Sequence, residues 1–115
     1  MKKYDGHCHC GKVVFEVETE LDSSFKCNCS FCVRRAATVH RVDASGFTLK
    51  TDEDELGVYG SRDFSKHYFC KSCGINCFTY FQRDSQKAVM VNIGCLDGID
   101  SMSFQPDIFD GANKL

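Results

Sequence analysis

The sequence predicts a mainly β fold of antiparallel strands in a single domain covering residues 1–115. Several short segments alternate apolar and polar residues with a period of two, which is typical of half-buried strands. No stretch has the three-to-four-residue repeat of a long amphipathic helix. The chain has 115 residues, 43% of them hydrophobic and 26% charged, which is an ordinary globular composition and enough for one core.

The elements can be assigned in chain order from these patterns. The first strand is predicted where Val13, Phe15 and Val17 alternate with their neighbours. A single helical turn is predicted over residues 30–36, with Ser30 as its N-cap. Further strands, rich in Val, Phe, Tyr and Thr, are predicted at residues 37–42, 46–50, 67–69, 77–81 and 88–93. Turn signals separate them at residues 43–46, at Gly57 and Gly60, at residues 83–85 and at residues 97–98.

Charge and hydropathy exclude two classes of partner. Fourteen Lys and Arg against sixteen Asp and Glu give a net charge of −2, which argues against a general nucleic-acid or anionic-membrane binder. The apolar runs are only a few residues long, as at residues 88–91, so we expect no membrane span. The basic start at residues 1–3 is not followed by an apolar segment, so we expect no signal peptide and a cytoplasmic location.

Cysteine content is the unusual feature of this sequence. There are nine cysteines, an odd number, and in a reducing compartment they favour metal binding or thiol chemistry over a disulfide framework. Seven of them are clustered, and two, Cys77 and Cys95, stand alone. The clusters are Cys8-His9-Cys10, then Cys27-Asn28-Cys29-Ser30-Phe31-Cys32, then Cys70-Lys71-Ser72-Cys73.

Spacing indicates how the seven cysteines divide. Residues i and i+2 of an extended segment face the same way, so each Cys-x-Cys pair presents two sulfurs together. In Cys-x-x-Cys a tight turn does the same, and Gly11 and Gly74 supply the positive φ that such turns need. A zinc ribbon combining the 29/32 and 70/73 pairs would leave 37 residues between the pairs, beyond the ~15–20 expected, and would strand three cysteines. The economical division is a closed four-sulfur site and an open three-sulfur site, consisting of Cys8, Cys10, Cys70 and Cys73 and of Cys27, Cys29 and Cys32.

The order of these clusters resembles the glutathione-dependent formaldehyde-activating enzyme family, which also contains centromere protein V. The resemblance extends over nearly the whole chain. It rests on the motifs Gly6-x-Cys8-x-Cys10-Gly11, Cys27-x-Cys29-x-x-Cys32, Phe69-Cys70-x-x-Cys73-Gly74, the segment 91–97 and Phe109-Asp110-Gly111. It implies a β-tent fold of small antiparallel sheets, a structural zinc on Cys8, Cys10, Cys70 and Cys73, and a catalytic zinc on Cys27, Cys29 and Cys32. The activity it implies is that of a carbon–sulfur lyase, which adds the glutathione sulfur to formaldehyde and runs the reverse reaction.

The chemistry of an open three-thiolate zinc site agrees with such a reaction. Two positive and three negative charges leave the site at −1, a weak Lewis acid for water but a good holder of a fourth, deprotonated sulfur. No acidic residue occurs between Ser23 and Val42, where Lys26, Arg34, Arg35 and Arg41 lie. We expect Lys26, Arg34 and Arg35 to attract an anionic thiol such as glutathione, which reacts with a small aldehyde. Solvated surface charge is the competing interpretation for each of them.

A second class of function also fits the sequence. A non-catalytic zinc module could bind a small thiol or a protein partner without turnover. The histidines His7, His9, His40 and His67 are predicted to be structural or exposed, although His40 or His67 could close the open site if the fold brought one there. Cys77 and Cys95 are predicted to be buried free thiols.

Overall fold

The computed structural model describes residues 1–115, apart from the side chain of Ser61, as two β-sheets with two short α-helices. The helices are α1 (Ser30–Arg35) and α2 (Gly111–Lys114). The strands are β1 (Lys2–His7), β2 (Val14–Thr19), β3 (Phe25–Cys27), β4 (Val39–Asp43), β5 (Phe47–Leu49), β6 (Leu56–Arg62), β7 (Ser65–Cys70), β8 (Asn76–Arg83), β9 (Gln86–Asn92) and β10 (Asp107–Phe109). The predicted mainly β class is confirmed.

The two sheets differ in size. The smaller has the order β1-β2-β5, and the larger has the order β10-β3-β4-β9-β8-β7-β6. Neighbouring strands are antiparallel in both sheets except for the β10–β3 pair, which is parallel. The larger sheet has hairpins at β6–β7 and β8–β9, so its centre is built mainly from neighbours in sequence.

The core lies between the two sheets. Phe15 of the small sheet and Phe78 of the large sheet are fully buried, and their ring centroids are 5.9 Å apart in an edge-to-face arrangement. Phe47 packs against Phe78 at 4.7 Å. Cys8 and Cys70 belong to the same buried cluster, so the first cysteine site is built into the core that joins the sheets.

Strand β8 decides where the functional site lies. Phe78 and Tyr80 point into the core, and the alternate residues Thr79, Phe81 and Arg83 point to the opposite face, because side chains alternate along a strand. Residues paired across neighbouring strands point to the same face of a sheet. Thr79 pairs with His67 of β7 and with Met90 of β9, so these residues belong to the same face. This face lines a pocket rather than bulk solvent.

Three details of the sequence prediction were wrong or incomplete. Gly57 and Gly60, expected in turns, lie within β6, where a Cβ on Gly57 would stand 2.3 Å from the Phe69 ring of the neighbouring strand. Helix α1 is capped by Cys29, whose sulfur accepts from the Cys32 N–H, instead of by Ser30. Strands β1, β3, β6 and β10 and helix α2 were not predicted.

Among the described residues, no helix combines the length and hydropathy needed to cross a bilayer.

Candidate metal centres and substrate pocket

The first cysteine cluster joins turns from both sheets. Cys8 and Cys10 directly follow β1, Cys70 ends β7, and Cys73 lies in the turn before β8. Their four sulfurs all lie within 4.8 Å of one another. The Cys10 sulfur is 3.6 Å from that of Cys8 and 3.6 Å from that of Cys70. The structure therefore brings together the four residues that the spacing assigned to one site.

This donor set fits a zinc ion. A tetrahedral site with Zn–S bonds of about 2.3 Å has sulfur–sulfur edges of about 3.8 Å, close to the distances found. The Cys8 sulfur accepts from the Val13 N–H at 3.3 Å, and the Cys70 sulfur accepts from the Cys73 N–H at 3.4 Å. Backbone N–H groups of Cys10 and Ile75 lower the pKa of Cys73 to about 6. Such bonds favour the thiolate form that a metal requires.

The turns that carry these cysteines have the backbone predicted for them. Gly11 and Gly74 adopt φ of 86° and 78°, in the left-handed region that glycine enters at little cost. The Gly74 N–H donates to the Cys70 carbonyl at 2.8 Å, and the Gly11 N–H donates to the Cys8 carbonyl at 3.3 Å. Each turn thus presents its two sulfurs to the same side.

The second cluster lies where β3 leads into α1. Cys27 ends β3, Cys29 caps α1 and Cys32 lies in its first turn, which brings the three sulfurs within 4.8 Å of one another. The Cys27 sulfur accepts from the Cys29 N–H, and the Cys29 sulfur accepts from the Cys32 N–H, both at 3.4 Å. In the part of the chain that the structure describes, no fourth His, Cys, Asp or Glu joins this group. Three sulfurs fit zinc with one coordination position left for a ligand from outside.

Arg35 contacts the second cysteine cluster directly. Its Nη2 donates to the Cys32 sulfur at 3.2 Å, and its Nη1 donates to Asn76 Oδ1 at 2.8 Å and to Thr79 Oγ1 at 3.1 Å. Its Nε is buried and has no hydrogen-bond partner among the described residues. Burial raises the pKa of the Cys32 thiol to about 12, and the positive charge of Arg35 opposes that effect. Arg35 therefore offsets part of the cost of holding a buried thiolate.

His67 lies in the same pocket. Its ring stacks on Phe31 with centroids 3.8 Å apart, and its Nδ1 lies 2.8 Å from the Thr79 hydroxyl. Burial, and next the charge of Arg35, lower the pKa of His67 to about 4. The ring is therefore neutral near pH 7.

The C-terminal segment closes one side of the second cluster. Asn28 donates to Asp110 at 3.1 Å and accepts from the Ala112 N–H at 2.9 Å. Gly111 is buried against the cluster, and a Cβ there would stand 2.4 Å from the Cys27 sulfur. The sequence alone gave no reason for this contact beyond the resemblance that included Phe109-Asp110-Gly111.

The three sulfurs lie at one end of a pocket of about 630 Å³. Of the cations predicted to attract substrate, Arg35 lines this pocket, and Lys26 and Arg34 are not among its lining residues. Arg34 instead donates to the Ser30 carbonyl on its own helix. The expectation that Lys26 and Arg34 face the ligand therefore finds no support in this geometry.

Cys77, Cys95 and His40 lie in buried surroundings outside the two cysteine groups. Cys77 and Cys95 are buried free thiols, as predicted, and their mutual hydrogen bond, followed by burial, raises the pKa of Cys77. His40 is buried, with Nε2 2.8 Å from the Thr19 hydroxyl and Nδ1 2.7 Å from the Ser23 carbonyl.

Comparison with known proteins agrees with the geometry. A family model described as glutathione-dependent formaldehyde-activating enzyme matches residues 3–111. The chain belongs to this family. The crystal structure of a Rhodobacter sphaeroides protein is similar to it, with a TM-score of 0.81 and 31% identity, over 91% of this chain and 99% of that one. An uncharacterized lyase of Schizosaccharomyces pombe is 26% identical over 99% of this chain and 89% of its own length.

Membership of the formaldehyde-activating family and the lyase relative together support an enzyme of lyase type. The two cysteine groups are compatible with zinc, one closed and one open. The open group is also the one that lines the pocket. The two groups therefore differ in their surroundings, because Cys27, Cys29 and Cys32 line the pocket, whereas Cys8 and Cys70 lie in the core.

Proposed function

We propose that this protein is a zinc-dependent carbon–sulfur lyase. It adds the sulfur of glutathione, or of a similar small thiol, to formaldehyde or a related aldehyde, and it catalyses the reverse reaction. A carbon–sulfur bond forms and the carbonyl π pair moves to oxygen. The thiol loses one proton and the oxygen gains one, which gives the S-hydroxymethyl adduct. The observation that carries the proposal is the three-sulfur group at the end of a 630 Å³ pocket in a member of this family.

The chain supplies the ligands and their surroundings. Cys8, Cys10, Cys70 and Cys73 would hold one zinc ion, and Cys27, Cys29 and Cys32 would hold the second. A zinc ion held by Cys27, Cys29 and Cys32 would favour the deprotonated, nucleophilic form of a thiol in this pocket. The backbone N–H groups of Cys29 and Cys32 stabilise the first two protein sulfurs, and Arg35 stabilises the third.

Residues around the open site position the reactants. Arg35 donates to Asn76 and Thr79, and these hydrogen bonds hold its guanidinium against Cys32. His67 is held by Phe31 and Thr79 and is neutral at pH 7, so it adds no charge that would compete with Arg35. Apolar side chains such as Phe25 and Met90 line the pocket and limit the water that could hydrate the aldehyde.

Exchange spectroscopy tests this proposal directly. With ¹³C-formaldehyde and glutathione, the zinc-loaded protein should speed exchange between free aldehyde and adduct, and the folded Cys29→Ser variant should not. Metal analysis should give two zinc ions per chain. Exchange unchanged at stoichiometric protein would remove the named reaction and favour a thiol-binding module without turnover.

A further inference from the structure

The pocket extends along the large sheet, away from the three sulfurs. Thr79, Phe81 and Arg83 follow one another on the pocket face of β8. Thr79 lies at the cysteine end, since it contacts Arg35, which contacts Cys32. Four residues at about 3.3 Å each place the Arg83 backbone roughly 13 Å from that of Thr79. The pocket therefore has a second end, well separated from the sulfur end.

Three arginines from three strands line this pocket besides Arg35. They are Arg41 on β4, Arg62 on β6 and Arg83 on β8. The guanidinium carbon of Arg41 lies 5.5 Å from the Phe81 ring centre, and that of Arg83 lies 4.8 Å from the Phe64 ring centre. Arg41 also donates to Gln86 Oε1 at 3.4 Å. Arg41 and Arg83 thus each rest on an aromatic ring of the pocket, and Arg62 lines the pocket from β6.

The two aromatic rings form a continuous surface under these cations. Phe64 and Phe81 pack edge to face with centroids 5.8 Å apart. The Gln82 N–H donates to the Phe64 carbonyl at 2.9 Å, which ties the turn between β6 and β7 to β8. Arg41 and Arg83 therefore lie over one packed pair of rings, on the same wall of the pocket.

Within the part of the chain that the structure describes, none of these arginines forms an ion pair with a carboxylate. The ion pairs found there at 4.0 Å or less involve Glu16, Glu20 and Asp97, none of which lines this pocket. Asp107 lines the pocket from β10 but forms no such pair. The three arginines bring positive charge to one pocket, and a bound anion would offset that charge.

We propose that Arg41, Arg62 and Arg83 form a subsite for the carboxylate of the thiol substrate. Phe64 and Phe81 lie against the chain that links this carboxylate to the sulfur. This inference rests on the proposed function and names the residues that would select its substrate. These residues would favour a thiol whose carboxylate lies on the order of 10 Å from its sulfur, given the strand rise. A short mercapto acid could not reach the sulfur end and the arginines together.

Thiols of different length and charge test the subsite. The Arg41→Gln, Arg62→Gln and Arg83→Gln variants should each raise the KM for glutathione about tenfold, the effect expected for loss of one charge-assisted contact, with kcat nearly unchanged. The KM for 2-mercaptoethanol and for thioglycolate should stay within twofold. Lys87→Gln is the matched control, since Lys87 is an exposed β9 cation outside the pocket lining and its loss should change neither constant.

Two results would overturn the subsite. One is an unchanged KM for glutathione in all three arginine variants. The other is an equal rise in KM for glutathione and for 2-mercaptoethanol, which would indicate general damage to the pocket.

A binding experiment separates this inference from the proposed function. If the wild-type protein turned over none of these thiols, the lyase proposal would fail, and calorimetric titration with S-methylglutathione would still test the subsite. That probe carries the carboxylates without a free thiol. Binding weakened about tenfold in Arg83→Gln, and unchanged in Lys87→Gln, supports the subsite. No binding to the wild type, or equal binding to both variants, refutes it.

Discussion

Replacing Cys70 with serine should damage the fold far more than replacing Cys29 with serine. Cys70 is fully buried in the core between the sheets, and its sulfur lies 3.6 Å from that of Cys10 in the other sheet's turn. Cys29 is also buried, but its sulfur shares a group only with Cys27 and Cys32, in the short segment around the start of α1. The two substitutions therefore remove one sulfur each from sites that constrain very different lengths of chain.

The lengths of these loops give the size of the difference. A metal joining Cys8 to Cys70 closes a loop of 62 residues, and one joining Cys27 to Cys32 closes a loop of five. With loop entropy growing as (3/2)RT ln n, the longer loop contributes about 2 kcal/mol more to stability. The packing between sheets that the first site holds together adds to this, and structural zinc sites contribute on the order of 10 kcal/mol in small peptides.

Parallel unfolding and metal measurements check this prediction. Cys29→Ser should keep the wild-type circular dichroism spectrum, retain one zinc ion and lose activity. Cys70→Ser should unfold or aggregate at 25 °C, as should the wild-type protein after complete chelation. Equal loss of unfolding free energy in the two variants would contradict the division into a structural and a catalytic site.

Three further predictions concern the open site. Arg35→Met should lower the zinc affinity of that site 10- to 100-fold in chelator competition and leave the four-cysteine site unchanged, because Cys32 loses its charged donor; equal weakening of both sites would count against it. Gly111→Ala should reduce bound zinc from two ions to one without unfolding the protein, since its Cβ would stand 2.4 Å from the Cys27 sulfur; full occupancy would show that the C-terminal segment yields. His67 has a folded pKa of about 4 against an ordinary 6.5, so the unfolded chain takes up its proton first and stability falls as the pH drops from 6.5 to 4. In zinc-saturated denaturant titrations, His67→Gln should lose about 2 kcal/mol less than wild type between pH 7 and pH 5, and identical losses would refute the assignment.

The grouping of seven cysteines into a set of four and a set of three could be predicted from sequence because it depends on local geometry. Cys-x-Cys and Cys-x-x-Cys each place two sulfurs on one side whatever the rest of the fold does, and the following glycines do take positive φ. The alternation of Val13, Phe15 and Val17 likewise marks three residues that are fully buried. Patterns of this kind can be predicted from sequence because the residues that form each of them lie within a few positions of one another.

Features that depend on neighbours distant in sequence escaped prediction. Gly57 suits a strand only because the Phe69 ring fills the space its side chain lacks, and the sequence does not show which residue lies opposite. Strand β10 has an exposed pattern and is defined by its parallel pairing with β3, more than 80 residues earlier. The basic segment near Cys27 predicts Lys26, Arg34 and Arg35 as ligand contacts, and of these the structure places Arg35 in the pocket lining and Arg34 against the Ser30 carbonyl.

The pocket face of β8 shows why the far end of the site was missed. In an isolated strand, Thr79 and Arg83 resemble the solvent face of a half-buried strand, because these polar residues lie on the face opposite the core residues Phe78 and Tyr80. Only the pairing of β8 with β7 and β9 makes this face part of the wall of a pocket. Period-two alternation identifies two faces of a strand but does not distinguish water from a ligand as the neighbour of the second face. That distinction follows from how the sheet curves and from which residues the other strands place opposite it.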